Sequence, residues 1–170
     1  MDAHRDAHPN PFTATDANRR DIWDILMRRD FTAFIANDWA ITAPDFVPAG
    51  EFLGIDAGKV ADASRWTIAY PTLTDYRDEW LRQAAAFVHV ALVGEEKLAF
   101  FYRAVRIERI DLVGERALAN KVFAGSARCA DGSTIDLRWR TLYHLRRLGG
   151  AWKIAGFVGY LPEPMIPVRG

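Results

Sequence analysis

Apolar positions along the chain change period near residue 95, helical before it and strand-like after it. Thr15 and Asp16 form an N-cap pair. Ile22, Trp23, Ile25 and Leu26 follow at helical spacing among Arg19, Arg20, Asp21, Asp24, Arg28 and Arg29. Asp30 is placed to cap a second helix that buries Phe31, Phe34 and Ile35 and approaches Trp39. Pro44, Pro48 and Gly50 mark an irregular stretch, after which Phe52-Leu53-Gly54 reads as a short strand. Trp66, Ile68 and Tyr70 alternate until Pro71 stops them. Thr72 or Thr74 then caps a third helix, whose stripe is Tyr76, Trp80, Leu81, Ala84, Phe87 and Val88.

Three turn signals, Gly114-Glu115, Asp131-Gly132 and Gly149-Gly150, divide the second half into strands of roughly 100–113, 116–129, 133–148 and 151–161. Strands this long twist and curl. Taking Asp131-Gly132 as a two-residue turn puts Val122 opposite Thr141 and Asn120 opposite Tyr143; Gly149-Gly150 puts Tyr143 opposite Gly156 and Trp139 opposite Tyr160. The helix-facing set is then Leu118, Val122, Trp139, Leu145, Trp152, Ile154 and Val158, with Asn120, Thr141, Tyr143 and Tyr160 among them. The opposite face holds Lys121, Arg138, Arg140, His144 and an apolar group of Phe123, Leu142 and Phe157, which points to a homodimer contact. In the first long strand the apolar spacing slips from Val105 and Ile107 to Ile110 and Leu112, the mark of a β-bulge, and either register turns a charge inward near Asn120. The expected fold is α+β, with three N-terminal helices packed in the concave face of a strongly curved antiparallel sheet, a cone or partial barrel.

Composition narrows the function classes. The chain has 170 residues, 22 Lys plus Arg against 22 Asp plus Glu, and 50% hydrophobic residues. That length is one domain: 1–14 an N-terminal tail, 15–161 the domain, 162–170 a C-terminal tail. Zero net charge argues against sequence-independent nucleic-acid binding. Cys129 is the single cysteine, so no intrachain disulfide forms. The N-terminus lacks an apolar signal core, and the longest apolar stretch, 84–93, is short for a membrane span. A cytoplasmic protein is expected. No nucleotide loop, no metal-spaced His/Cys cluster and no nucleophile elbow occurs. His4 and His8 are spaced four apart, but in the expected tail.

The segment Arg28-Arg29-Asp30-Phe31, then Trp39 and Pro44-Asp45-Phe46, the helix Tyr76-Arg77-Asp78-Glu79-Trp80-Leu81, and the strands Arg138-Trp139-Arg140-Thr141-Leu142-Tyr143 and Gly150-Ala151-Trp152-Lys153-Ile154-Ala155-Gly156-Phe157 resemble SnoaL-like proteins of the nuclear transport factor 2-like (NTF2-like) superfamily. The resemblance spans residues 15–161. It implies an apolar pocket between sheet and helices, and dimerisation through the outer sheet face. It also implies either cofactor-free acid–base catalysis of the isomerase, dehydratase or polyketide-cyclase kind, or non-catalytic binding of a ligand or protein.

The site built from the residues is a cavity under the helices, walled by Trp39, Trp66, Tyr76, Trp80, Trp139, Tyr143 and Tyr160, with Asn120, Thr141 and either Glu108 or Arg109 as polar groups. Such a cavity suits a planar or polyketide-like molecule. Glu108 in apolar surroundings would carry a raised pKa and act as acid–base, with Tyr143 or Asn120 hydrogen-bonding a developing enolate. Asp38, Asp45 and Glu51 are rival carboxylates, and His89 a rival base. The contrary expectation is a cavity filled by its own aromatics and a function carried by the sheet surface.

Overall fold

The computed structural model describes residues 8–165; the outer parts of both expected tails, His4 among them, lie outside the described residues. Asp16 caps α1 (Ala17–Trp23), its carboxylate accepting from the Arg19 amide. The chain does not break at Asp30. It passes through a π-helical turn (Asp24–Arg29) directly into α2 (Asp30–Ala36), which stops at Asn37 with φ 51° in the left-handed region. The expected cap at Asp30 is therefore an interior helical residue. The stretch from His8 to Ala14, expected to be tail, packs on the domain: His8 stacks on Tyr102 at 4.0 Å, and Asn10 Nδ2 donates to the Arg20 carbonyl of α1.

A short α3 (Trp39–Thr42) leads through two 3₁₀ turns to β1 (Leu53–Asp56) and β2 (Thr67–Tyr70). Then α4 (Leu73–Val88) opens with a full capping box between Thr72 and Asp75. The next element is a correction. Residues 97–104, partly read as strand, form helix α5 (Lys97–Ala104), because Phe100, Phe101 and Ala104 bury one helical face. Lys97 Nζ also donates to the Phe87 and Val88 carbonyls at 2.8 and 2.7 Å, closing the end of α4.

Four long strands follow, β3 (Val105–Val113), β4 (Arg116–Arg128), β5 (Thr134–Leu148) and β6 (Ala151–Leu161), and the six-stranded sheet runs β2-β1-β6-β5-β4-β3. All neighbours are antiparallel except β1 and β6. The expected bulge in β3 is present: pairing shifts between Ile107 and Arg109, leaving Glu108 extra. The register of β4 on β5 is corrected. The loop is three residues, Ala130-Asp131-Gly132, closed by the Cys129 amide to the Ser133 carbonyl. One added residue turns every β4 side chain to the other face. Lys121 therefore opposes Thr141, Phe123 opposes Trp139 and Ala119 opposes Tyr143, while Leu118, Asn120 and Val122 lie on the outer side of the sheet, Leu118 exposed and Val122 fully covered. A shift in β5–β6 between His144 and Leu145 likewise brings Phe157 opposite Tyr143 and into the core, and a second, between Arg140 and Leu142, follows beyond that pair. Phe123 and Phe157 thus leave the outer apolar group, and Leu142 stays on it.

The helices lie against the inner face. Arg19 Nε donates to the Ile110 carbonyl and Trp152 Nε1 to Asn18 Oδ1, fixing α1 across the sheet. Ala117 and Ala119 sit in the same buried cluster as Ile22, Ile25 and Leu26, so small β4 residues meet large helical ones. Among the described residues no helix is long and apolar enough to cross a membrane.

The parallel β1–β6 pairing depends on Gly156: a Cβ there would lie 2.3 Å from the Leu53 carbonyl oxygen. Gly156→Ala is expected to destabilise the fold by about 2–3 kcal/mol, the upper part of the usual cost of overpacking. Urea unfolding should show a lower midpoint with an unchanged slope.

Candidate functional site

Between sheet and helices lies a cavity of about 430 Å³. Its floor is the inner face of the sheet: Phe123 from β4, Ile135, Leu137, Trp139, Thr141 and Tyr143 from β5, Phe157 and Tyr160 from β6. Phe31 and Phe34 of α2, Tyr76, Trp80 and Phe87 of α4, and Phe100 and Phe101 of α5 form the walls. The rings support one another: Phe123 stacks on Trp139 at 4.5 Å, Phe31 on Phe101 at 5.0 Å, and Phe34 meets Trp80 edge-on at 5.4 Å.

The chemistry sits at a residue that the register reading turned outward. Lys121 has no exposed surface. Its Nζ donates to Asp30 Oδ2 at 2.7 Å and to the Leu26 carbonyl, inside the π-helical turn, at 2.5 Å. The ring centroids of Phe31, Phe123 and Tyr143 lie 4.9, 5.2 and 5.9 Å from the same atom. Lys121 thus stands behind the cavity wall, and Asp30, its side chain 28% exposed, forms part of that wall. Among the described residues nothing donates to Asp30 Oδ1 or to the Tyr143 hydroxyl. Burial pushes the Tyr143 phenol well above its ordinary pKa, with the Asp30 charge adding to the effect, so it stays a neutral donor. Burial acts the same way on Tyr76.

The rim is polar. Glu79 and Arg82 pair at 2.6 Å, Gln83 Nε2 donates to Glu79 Oε1 at 2.7 Å, and the Arg82 side chain is 69% exposed. Tyr160 stands there with φ 52°, a value uncommon outside glycine, which aims its ring at Trp139, 5.3 Å away. The Lys59 amide holds the Tyr160 carbonyl at 2.7 Å. Burial pushes the Tyr70 phenol, also at the rim, up to about 12.

Of the residues expected at the site, Tyr76, Trp80, Trp139, Thr141, Tyr143 and Tyr160 line the cavity. Trp39 packs behind the wall, against Phe46 at 5.0 Å and Trp80 at 5.2 Å. Trp66 donates to the Val60 carbonyl in the β1–β2 connection, away from the cavity. Glu108 is corrected: it lies exposed on the outer face with Arg140 and Arg106, and the hydrogen bond from Arg140 holds its carboxyl below the usual range. Asn120 is on that face too, donating to Glu108 at 3.3 Å. Arg109 is 73% exposed and pairs with Asp111. The inward charge is therefore Lys121, and neither Glu108 nor Arg109. Among the rivals, Asp38 caps α3, Glu51 pairs with Arg146, and Asp45 is buried against Arg29 at 2.8 Å. Burial raises the Asp45 carboxyl and Arg29 opposes it. His89 is exposed at the end of α4. Asp30, Lys121 and the phenylalanine walls went unread as site residues. The available signal was Asp30 amid buried Ile25, Leu26 and Phe31, a carboxylate on an apolar helix face. Among the described residues no group of three metal-ligating side chains occurs.

The chain has the NTF2-like fold. An NTF2-like superfamily protein from Salmonella enterica serovar Typhimurium LT2 superposes with a TM-score of 0.55 at 13% identity, covering 92% of this chain and 99% of that one. Aln2 from a Streptomyces species gives 0.58 at 8% identity, covering 88% and 94%. An NTF2-like protein of unknown function from Shewanella baltica gives 0.52 at 16% identity, covering 87% and 96%. No family profile and no curated protein matches the chain.

Removing Asp30 leaves a fully buried ammonium without its counter-ion, which typically costs about 3–5 kcal/mol. Asp30→Asn should lose stability on that scale. Lys121→Met should lose less, because Asp30 keeps some exposure. In a double-mutant cycle by urea unfolding, Asp30→Asn/Lys121→Met is expected to be more stable than Asp30→Asn alone.

Proposed function

We propose that this protein binds a small, apolar, planar molecule of polyketide-like character and catalyses cofactor-free proton transfer on it: isomerisation, dehydration or aldol-type cyclisation. The observation that carries the reading is the Asp30 carboxylate set in the wall of an otherwise aromatic cavity, backed by the buried Lys121. In this reading Asp30 takes a proton from carbon beside a carbonyl and returns it one or two atoms away. The Tyr143 hydroxyl donates to the oxyanion that develops meanwhile. The phenylalanine walls exclude water, which strengthens both interactions. The catalytic pair is Asp30 and Tyr143 in place of Glu108, Asn120 and Tyr143. A second reading, ligand binding without turnover, is favoured by the engagement of Asp30 Oδ2 on Lys121, which holds that carboxylate in a fixed pair.

A homodimer through the outer sheet face, within the cytoplasm, remains part of the proposal. Its apolar contribution would come from Leu118, Leu142 and Val158 in place of Phe123 and Phe157. Leu142→Arg should then shift the mass in sedimentation equilibrium from dimer to monomer.

Native mass spectrometry of protein purified from its own host tests the binding. A retained molecule is expected, and Ala86→Trp, which puts an indole into the cavity, should strip it while the fold persists. Once a substrate is in hand, Asp30→Asn should lower kcat by about 10²–10⁴-fold, the range that positioned acid–base groups supply. Retained binding with no turnover by the wild type would leave the carrier reading, and a kcat unchanged in Asp30→Asn would take the acid–base role from Asp30.

A further inference from the structure

The charged side chains that line the cavity are each paired, Asp30 with the buried Lys121 and Glu79 with Arg82, and this limits what enters it. Lys121 is the inner cation. Two of its donors are spent on Leu26 and Asp30, and aromatic rings surround it, so no ligand reaches it directly. Its partner Asp30 presents the cavity with an acceptor only. At the rim Arg82 is held by Glu79 through both Nε and Nη2, at 2.7 and 2.6 Å. An anionic ligand would set its charge against Asp30 with no free cation beside it. A cationic one would compete with Lys121 for the same carboxylate at close range. Both penalties are large in a site walled by phenylalanine, where Coulomb energies are little screened. Beside the lone Asp30 Oδ1, the hydroxyls of Tyr143, Thr141 and Tyr76 line the cavity with no partner among the described residues, and Tyr143 lies against the Lys121 ammonium that Asp30 pairs with.

Resting on the reading of this cavity as a ligand site, we propose that it selects an uncharged hydroxyl compound, a phenol or the enol of a β-dicarbonyl. The hydroxyl donates to Asp30, and an oxygen of the same ligand accepts from Tyr143. The Asp30–Lys121 pair sets this selectivity because it makes the inner end polar without leaving it charged. The cavity volume, about 430 Å³, holds a two- or three-ring molecule.

Four probes of one shape test this by calorimetry at neutral pH: naphthalene, 2-naphthol, 2-naphthoate and 2-naphthylmethylammonium. The expected order is 2-naphthol first, about tenfold tighter than naphthalene, as for a hydrogen bond to a charged group. Both ions should bind more weakly than naphthalene. Lys121→Met leaves a lone carboxylate and should move the ammonium probe to first place. Asp30→Asn leaves a lone ammonium and should move 2-naphthoate up. If Asp30→Asn does not fold, the double variant Asp30→Asn/Lys121→Met supplies the check, because it should bind naphthalene and 2-naphthol alike. Wild-type binding of 2-naphthoate as tight as 2-naphthol overturns the selectivity and leaves the ligand site standing. No binding of any probe, naphthalene included, overturns the ligand site as well.

Discussion

Lys121 carries an ammonium to a position without solvent, and a charge there survives only if it is paired and hydrogen-bonded. The partners come from one helical turn: the Leu26 carbonyl within the π segment and the Asp30 carboxylate just after it. The ammonium thus joins the middle of β4 to the centre of the long N-terminal helix. It also dictates the surroundings, since the ring faces of Phe31, Phe123 and Tyr143 complete its shell. The cavity lies on the other side of Asp30, so the group that neutralises the lysine is the group a ligand meets.

The apolar pattern carried the fold well. The capped α4 stripe, the hairpin positions, the bulge in β3 and the α+β order were all legible, because each rests on local chemistry. What was lost rests on counting. Asp131-Gly132 looks like a two-residue turn, but Ala130 joins it and the strand behind it rotates by one position. Both faces of β4 look partly apolar: Ala117, Ala119 and Phe123 on one, Leu118 and Val122 on the other. A two-residue turn assigns the second set inward, and nothing in the composition of either face contradicts it. The alanines face in because Ile22, Ile25 and Leu26 approach closely there. The same turn puts Lys121 outward, and the separate ambiguity of β3 leaves Glu108 or Arg109 as the inward charge. The faces of the β5 residues Trp139, Thr141 and Tyr143 did not depend on that loop, and these residues line the cavity as expected, with Tyr76, Trp80 and Tyr160. Asp30 was hidden by a helix boundary drawn at a good capping residue where none exists, since a π turn leaves no break in the apolar pattern.

Equal numbers of acidic and basic residues acquire a structural meaning here. The balance repeats at small scale: Lys121 with Asp30 inside, Glu79 with Arg82 at the rim, and Glu108 with Arg140 and Arg106 on the outer face. The aromatic content is as unevenly spent. Most of the rings line one cavity or back its wall, and several would be needless in a core of ordinary aliphatic packing.

The π turn between Asp24 and Arg29 has a further bearing on how such a site changes over time. Each residue advances an α-helix by about 100°, so losing one residue from this turn would swing everything beyond it by that angle. Asp30 would leave the cavity, and another side chain of α2 would take its place. The loop at Ala130-Asp131-Gly132 has the same leverage over Lys121. A gain or loss of a single codon at either place replaces one half of the ion pair together with the lining rings carried on the same element, Phe31 and Phe34 on α2 or Phe123 on β4. In this chain the chemistry of the cavity is therefore a matter of spacing as much as of composition, and lineages that share the fold are free to diverge in it by slippage alone.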